Sequence, residues 1–205
     1  PAKEFEPMSR TFSPCQNAER SIQKKYRREL WGPFVAACKR YELIQSGDRI
    51  AVCISGGKDS MLLAKLMQML RRISDVPFDL EFLVMDPGYA PANRARIIEN
   101  AARLEIPIQI FEVSERMDRR KPCYLCAKMR RGYLYHHAQE LGCNKIALGH
   151  HFSDVIETTL MGMLYGGQIQ AMRPKLHSNN FPGMELIRPL FCVHEDDIIA
   201  WKRYN

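Results

Sequence analysis

No stretch of this chain approaches the ~20 consecutive apolar residues of a membrane-spanning helix, and the polar N-terminus lacks the apolar core of a secretory signal. Both absences point to a cytoplasmic protein with no membrane anchor. The cysteines are not even in number: seven cannot close into a disulfide framework, and in a reducing compartment spaced cysteines bind metal or do redox chemistry. Repeats, low-complexity segments and an initiator methionine are also absent, the first residue being Pro1. Acidic residues are the minority, with 23 Asp and Glu against 30 Lys and Arg and a formal charge of +7, which favours polyanionic partners such as nucleic acid or nucleotides. The 205 residues, 46% of them hydrophobic, suffice for one sizeable core with a small appendage but not for two full domains.

Residues 1–17 hold three prolines and little periodicity, so a loose leader is expected there. Residues 18–46 show helical spacing of Ile22, Tyr26 and Leu30, then Phe34, Ala37 and Tyr41, interrupted at Gly32 and Pro33, which predicts two basic helices. From 47 to 205 apolar runs alternate with amphipathic ones. "RIAVCI", "LEFLVMD", "IQIFEV" and Lys145 to His150 read as strands; Ser60 to Arg72, residues 91–104, Tyr124 to Leu141 and Ser153 to Tyr165 read as helices. The segment from Gly166 to Leu190 predicts a hairpin or irregular excursion, and "EDDIIAWKRY" a last helix. Such alternation specifies an α/β fold: an open parallel sheet with helices on both faces, preceded by a helical extension.

Neither the GxxxxGK[ST] P-loop nor the GxGxxG fingerprint occurs. Instead the first strand runs into "SGGKDS", Ser55 to Ser60, where an open sheet seats phosphate. Gly56 and Gly57 let main-chain N–H groups approach phosphate oxygens, Ser55 and Ser60 offer hydroxyls, Lys58 offers charge, and the helix N-terminus favours an anion. Asp59 suits a magnesium ion or a helix cap. A tight turn with a good N-cap would use the same residue types. The six residues, with strand before and helix after, resemble the PP-loop of the N-type ATP pyrophosphatases, which implies cleavage of ATP between its α and β phosphates and adenylation of a substrate.

Cys123 and Cys126 stand three apart at an expected helix start, where both thiolates can face one point and the helix dipole and nearby cations favour low pKa values. Cys38 and Cys53 read as small core residues, Cys15 lies in the leader, Cys143 follows a helix-ending glycine, and Cys192 is the best third ligand. "PCYLCAKMRRGYLY", "ALGHHFSDVIETTLMGMLYGG", "RPKL" and "IRPLFCVHEDDI", in that order, resemble the tRNA 2-thiocytidine synthetase family, the TtcA-type tRNA sulfurtransferases. That resemblance implies ATP with Mg2+, a [4Fe–4S] cluster held by Cys123, Cys126 and Cys192, a tRNA substrate, a sulfur donor such as a cysteine desulfurase persulfide, and a homodimer. Structural zinc on the same thiols is the alternative. The readings outside tRNA thiolation are an adenylating enzyme for another base or a small molecule, and an RNA-binding module with a vestigial PP-loop.

The resemblance also implies that His150 and Asp154 face the ATP, with Ser153 standing where many relatives carry a second aspartate. Asp86, at a third strand end, is expected to touch the nucleotide; His136, His137 and His151 are taken as structural. Glu157 and Thr158 fit a helix as well as a site, and Met161, Met163 and Leu164 read as core or groove filler. Lys24, Lys25, Arg27 and Arg28, with Tyr26 and Trp31 interleaved, form one expected RNA-binding surface of phosphate contacts and stacking. Arg119, Arg120, Lys121, Lys128, Arg130 and Arg131 form a second around the cysteine pair, with no acid from Arg119 to Arg131. The cysteine-bearing part is expected as an insertion near 114–141, and relatives are expected to continue beyond Asn205.

Overall fold

The computed structural model describes residues 11–113, 123–169 and 171–205; the side chains of residues 123–128 and 130 lie outside that description. A six-stranded sheet in the order β3-β2-β1-β4-β6-β5 forms its centre. The strands are β1 (Arg49–Cys53), β2 (Asp79–Asp86), β3 (Ile108–Glu112), β4 (Lys145–Ala147), β5 (Lys175–His177) and β6 (Glu185–Ile187). All neighbouring pairs run parallel except β5 on β6, which closes as the expected hairpin. The expected parallel sheet therefore has one antiparallel edge. The strand order reverses between β1 and β4, and an open sheet leaves its ligand crevice at that switch point.

Alternation along β1 divides the core. Ile50, Val52 and Ile54 face a large apolar cluster with α2 (Gly32–Arg40), α3 (Lys58–Ile73) and α7 (Glu195–Tyr204), whereas Ala51 and Cys53 face a smaller one with α5 (Cys123–Glu140). Leu62, Leu63, Leu66 and Met67 of α3 are fully buried, each side chain contributing ~1.5–3 kcal/mol by leaving water. At the amino ends of the strands Lys145, 2% exposed, pairs with Asp48 at 2.7 Å and Glu185 at 3.1 Å, tying the foot of β4 to its neighbours. Among the described residues no helix is long and apolar enough to cross a membrane.

The leader differs from expectation. Helix α1 (Pro14–Gln23) starts inside residues 1–17, because Ser13 and Gln16 form a reciprocal capping box and Pro14 sits in the first turn, where its missing N–H costs nothing. Buried Lys65 of α3 holds α1 through Glu19 at 3.1 Å. Gly32 and Pro33 do not interrupt a helix but begin α2, and a π-helical turn, Arg27–Trp31, joins it to α1. Tyr26 and Trp31 are partly buried against the core and do not stand free as the expected stacking pair. The Tyr26 hydroxyl donates to the Ala200 carbonyl at 3.1 Å, and Trp31 packs on Phe34, so both close the extension onto the core. Lys24, Lys25, Arg27 and Arg28 are exposed beside them, with Lys25 Nζ 3.7 Å from the Tyr204 ring centre.

Helix α4 (Pro91–Arg103) covers the β2–β3 crossover, and α6 (Phe152–Gly166) follows β4. Helix α6 has no buried residue: Met161, Met163 and Leu164 are 61%, 50% and 77% exposed, so they are not core filler.

Candidate active site

The turns after β1 and β4 enclose a cavity of about 300 Å³ at the switch point, with Ser55, Asp59 and Ser60 on one wall and Gly149, His150 and Asp154 on the other. Gly56 has φ +84, and a Cβ there would lie 2.5 Å from Ile97 Cγ1, so both backbone conformation and space demand glycine. Gly57, extended, is the N-cap of α3. Ser60 Oγ donates to the Gly57 carbonyl at 3.0 Å and accepts from the Ser55 N–H at 3.2 Å, bracing the loop across its mouth. The N–H groups of the first turn of α3 have no intrahelical acceptor and present a partial positive charge to the cavity.

Gly149 brings the two turns together. A Cβ at this position would meet Ser60 N at 3.1 Å and Asp59 C at 3.2 Å, so glycine lets the end of β4 lie against the first turn of α3 without displacing it. His150 follows, lining the cavity with a buried Nδ1 that has no hydrogen-bond partner. Burial chiefly, then the positive charge of Arg188, holds its pKa below the usual histidine value and favours the neutral ring.

His151, taken from sequence as structural, caps α6: its ring accepts from the Asp154 N–H, and the Asp154 carboxylate accepts from the His151 N–H at 2.8 Å. It also stands 3.8 Å from Asp59 Oδ1 and 3.9 Å from Glu195 Oε1, inside the charged rim of the site. Glu195, at the start of α7, was not foreseen. Lys58 Nζ reaches it at 2.7 Å and Asp59 Oδ1 at 3.1 Å. Burial pulls the Lys58 pKa down, but these carboxylates outweigh it and the net shift is upward, so the ammonium stays charged. The site can thus take a polyphosphate on α3 and a planar group against Leu148, Leu134 and Met85.

The PP-loop domain family model matches residues 19–205. Residues of this chain are 41% identical over 174 positions to the tRNA-cytidine(32) 2-sulfurtransferase of Geotalea uraniireducens, covering 80% of this chain and 68% of the relative. The enzyme of the same name from Aliivibrio fischeri is 40% identical over 190 positions, covering 88% of this chain and 59% of the relative. The chain belongs to this PP-loop family of tRNA sulfurtransferases. It spans about two thirds of the length of these curated relatives. Among solved structures the U34-tRNA thiolase NcsA of Methanococcus maripaludis, with its [4Fe–4S] cluster, superposes with a TM-score of 0.68 at 19% identity, over 86% of this chain and 63% of that one, a likeness of fold. The family resemblance read from "SGGKDS" and the cysteine motif is the family the comparisons find.

Within this sulfurtransferase scaffold the other expected residues are placed unevenly. Asp86, 4% exposed, accepts from the Gly88 and Tyr89 N–H groups at 2.8 and 2.7 Å and approaches Arg94 at 3.5 Å, so its carboxylate shapes the turn after β2. Cys192, half-buried, lies near Cys38, Arg40 and Tyr41 at the C-terminal end of α2, where the neighbouring Phe191 packs edge-on against Tyr41. Burial pushes the Cys192 pKa up. Cys123 and Cys126 begin α5, but their side chains, like those of Lys128 and Arg130, lie outside the described residues, as do Arg119, Arg120 and Lys121. Arg131 is exposed on α5. Among the described residues no three His, Cys, Asp or Glu side chains converge as metal ligands.

Proposed function

We propose that this chain is an ATP-dependent tRNA sulfurtransferase that thiolates a cytidine, the base named for its relatives. The observation that carries the reading is the Gly149 contact, which makes the "SGGKDS" and "GHHFSD" turns two walls of one nucleotide cavity. ATP lies with its phosphates on the first turn of α3, donated to by main-chain N–H groups at Gly56 to Ser60 and by Lys58 once it leaves Glu195. The carbonyl oxygen of the entering cytosine attacks the α phosphorus, and pyrophosphate departs against the same positive end of α3. His150, neutral and unpartnered, and Asp154 hold the base or ribose edge. The Asp59 carboxylate, whose Oδ1 lies 3.1 Å from Lys58 Nζ, would be free to hold Mg2+ once Lys58 turns to the phosphates, and the ion would offset phosphate charge.

Sulfur delivery is assigned to Cys123 and Cys126. A persulfide from a donor such as a cysteine desulfurase is passed to one thiol; its terminal sulfur bonds to the activated carbon as the C–O bond breaks and AMP leaves with the electron pair. The second thiol then attacks the sulfur–sulfur bond, freeing the thiobase and leaving a cysteine disulfide for an external dithiol to reduce. A [4Fe–4S] centre held by Cys123, Cys126 and Cys192, with structural zinc on the same thiols as the alternative, remains part of this reading; the Cys123 and Cys126 side chains lie outside the described residues, and Cys192 is half-buried beside α2.

The test incubates the protein with tRNA, ATP and a persulfide donor, follows AMP, and analyses tRNA nucleosides by mass spectrometry. 2-Thiocytidine with stoichiometric AMP is expected. AMP without thiolated cytidine would leave another adenylation reaction, and tRNA binding without AMP an RNA-binding module. Light scattering on the same sample tests the homodimer, and absorbance after anaerobic purification distinguishes iron from zinc.

A further inference from the structure

A second chamber of about 290 Å³ lies along α5 beside the nucleotide cavity, lined by Arg131, Tyr135, His177, Asn180, Phe181 and Arg188. Its floor is the stacked pair Tyr135 and Phe181, 4.9 Å between ring centres. Arg188 follows β6, and the strand alternation that turns Leu186 toward the α5 cluster turns Arg188 the same way. Its side chain is only 5% exposed. Nη1 donates to the Arg173 carbonyl, but Nε is buried with no partner.

Among the described residues no carboxylate pairs with Arg188, and the charge that bears on it most is that of Arg131, of the same sign. Burial first, then Arg131, pushes the Arg188 pKa down to about 10, leaving it protonated at neutral pH. A buried, unpaired guanidinium beside a second one is strongly unfavourable unless an anion completes it, and a shape-matched apolar residue would pack there at lower cost.

We propose that Arg188 and Arg131 form a seat for an RNA phosphodiester, the one flanking the base that enters the nucleotide cavity. The inference rests on the tRNA reading above and gives it a point of contact. Three considerations favour an RNA phosphate over one of ATP. The triphosphate is assigned above to the N-terminus of α3; Arg188 directly follows β6, with β4 between that strand and β1; and the chamber adjoins His150, whose pKa both arginines lower. A guanidinium with its Nε edge free offers the planar fork that phosphate oxygens accept bidentately.

The test measures tRNA affinity across a salt titration for the wild type, Arg188→Met, Arg188→Lys and Arg131→Gln, with ATP affinity and melting temperature read in parallel. Arg188→Met and Arg131→Gln are expected to weaken tRNA binding roughly tenfold and to lower the slope of log affinity against log salt by about one, with Arg188→Lys recovering part of both. Unchanged affinity and slope in folded Arg188→Met and Arg131→Gln overturn the seat. Loss of ATP affinity with intact tRNA affinity also overturns it, assigning the arginines to the nucleotide. If Arg188→Met does not fold, the exposed Arg131→Gln decides. If the wild type binds no tRNA, the functional reading fails by itself. Inorganic phosphate then tests the seat: a rise in wild-type melting temperature absent from Arg131→Gln supports an anion site of another source, and no rise removes it.

Discussion

Gly149→Ala probes the contact on which the nucleotide cavity depends. The glycine has no positive φ, so an alanine meets no backbone strain; the cost is steric alone. Its Cβ would stand 3.1 Å from Ser60 N and 3.2 Å from Asp59 C and Ser60 Cα, where ordinary contact begins near 3.4 Å. All three neighbours are main-chain atoms at the start of α3, so no side chain can swing away and the first turn must retreat by a few tenths of an ångström. Overpacking of this kind costs about 1–3 kcal/mol, offset by up to ~1 kcal/mol because alanine restricts the unfolded chain. A net loss of about 1–2 kcal/mol is expected in urea unfolding. The displaced N–H groups are those assigned to phosphate, so ATP affinity measured by calorimetry should fall by roughly tenfold or more. Gly132→Ala is the reference, since its Cβ meets nothing within 4 Å and a mid-helix alanine adds about 0.5–1 kcal/mol. A Gly149→Ala protein with wild-type stability and ATP affinity would refute the reasoning.

Glu195→Gln removes the carboxylate that holds Lys58 at 2.7 Å; as the pair is partly exposed, ATP binding should tighten only about two- to fivefold, and weaker binding would give Glu195 a direct role. Glu19→Ala strands buried Lys65 and should cost about 3 kcal/mol in urea unfolding, more than Lys65→Met, which removes the charge itself. Burial raises the Glu19 pKa, but hydrogen bonds from Arg72 and Lys65 outweigh it and the net value is lowered, so its contribution is present above pH ~4.3 and lost as pH falls through the depressed folded value. His150, likewise lowered, contributes above pH ~6.5 and loses that contribution as pH falls; His150→Gln should flatten the unfolding midpoint between pH 7 and 5. Cys123→Ala, Cys126→Ala and Cys192→Ala should each end thiolation while sparing ATP binding; wild-type thiolation in any one of them would remove that thiol from the sulfur chemistry.

The strand and helix periods and "SGGKDS" made the sheet and the phosphate loop legible, because local pattern and phosphate chemistry act over a few residues. The start of α1 was missed, although Ser13, Pro14 and Gln16 form a capping signal, because the surrounding prolines read as a loose leader. Glu195 was not legible, since it meets Lys58 across 137 positions of chain. The role of His151 depends on Asp154 at the third helical position, where a histidine cap departs from the usual Ser, Thr, Asp or Asn. Tyr26 and Trp31 carried a period compatible with either a core or an RNA surface; α7, returning from the far end of the sequence, covers Tyr26 and decided for the core. Arg188 carried no local signal, because its interest lies in lacking a counter-charge.

The cradle for the nucleotide grows from two adjoining central strands, Ile50 paired with Lys145 and Val52 with Ala147, while the short hairpin strand hangs at the margin. Warming should therefore loosen the rim first, with amides of Lys175–His177 trading deuterium well before those of Arg49–Cys53. Nucleotide capture would persist through such fraying and vanish only with the final cooperative collapse, whereas the grip on RNA beside the hairpin would slacken earlier, so a catalyst built this way wears from its borders inward.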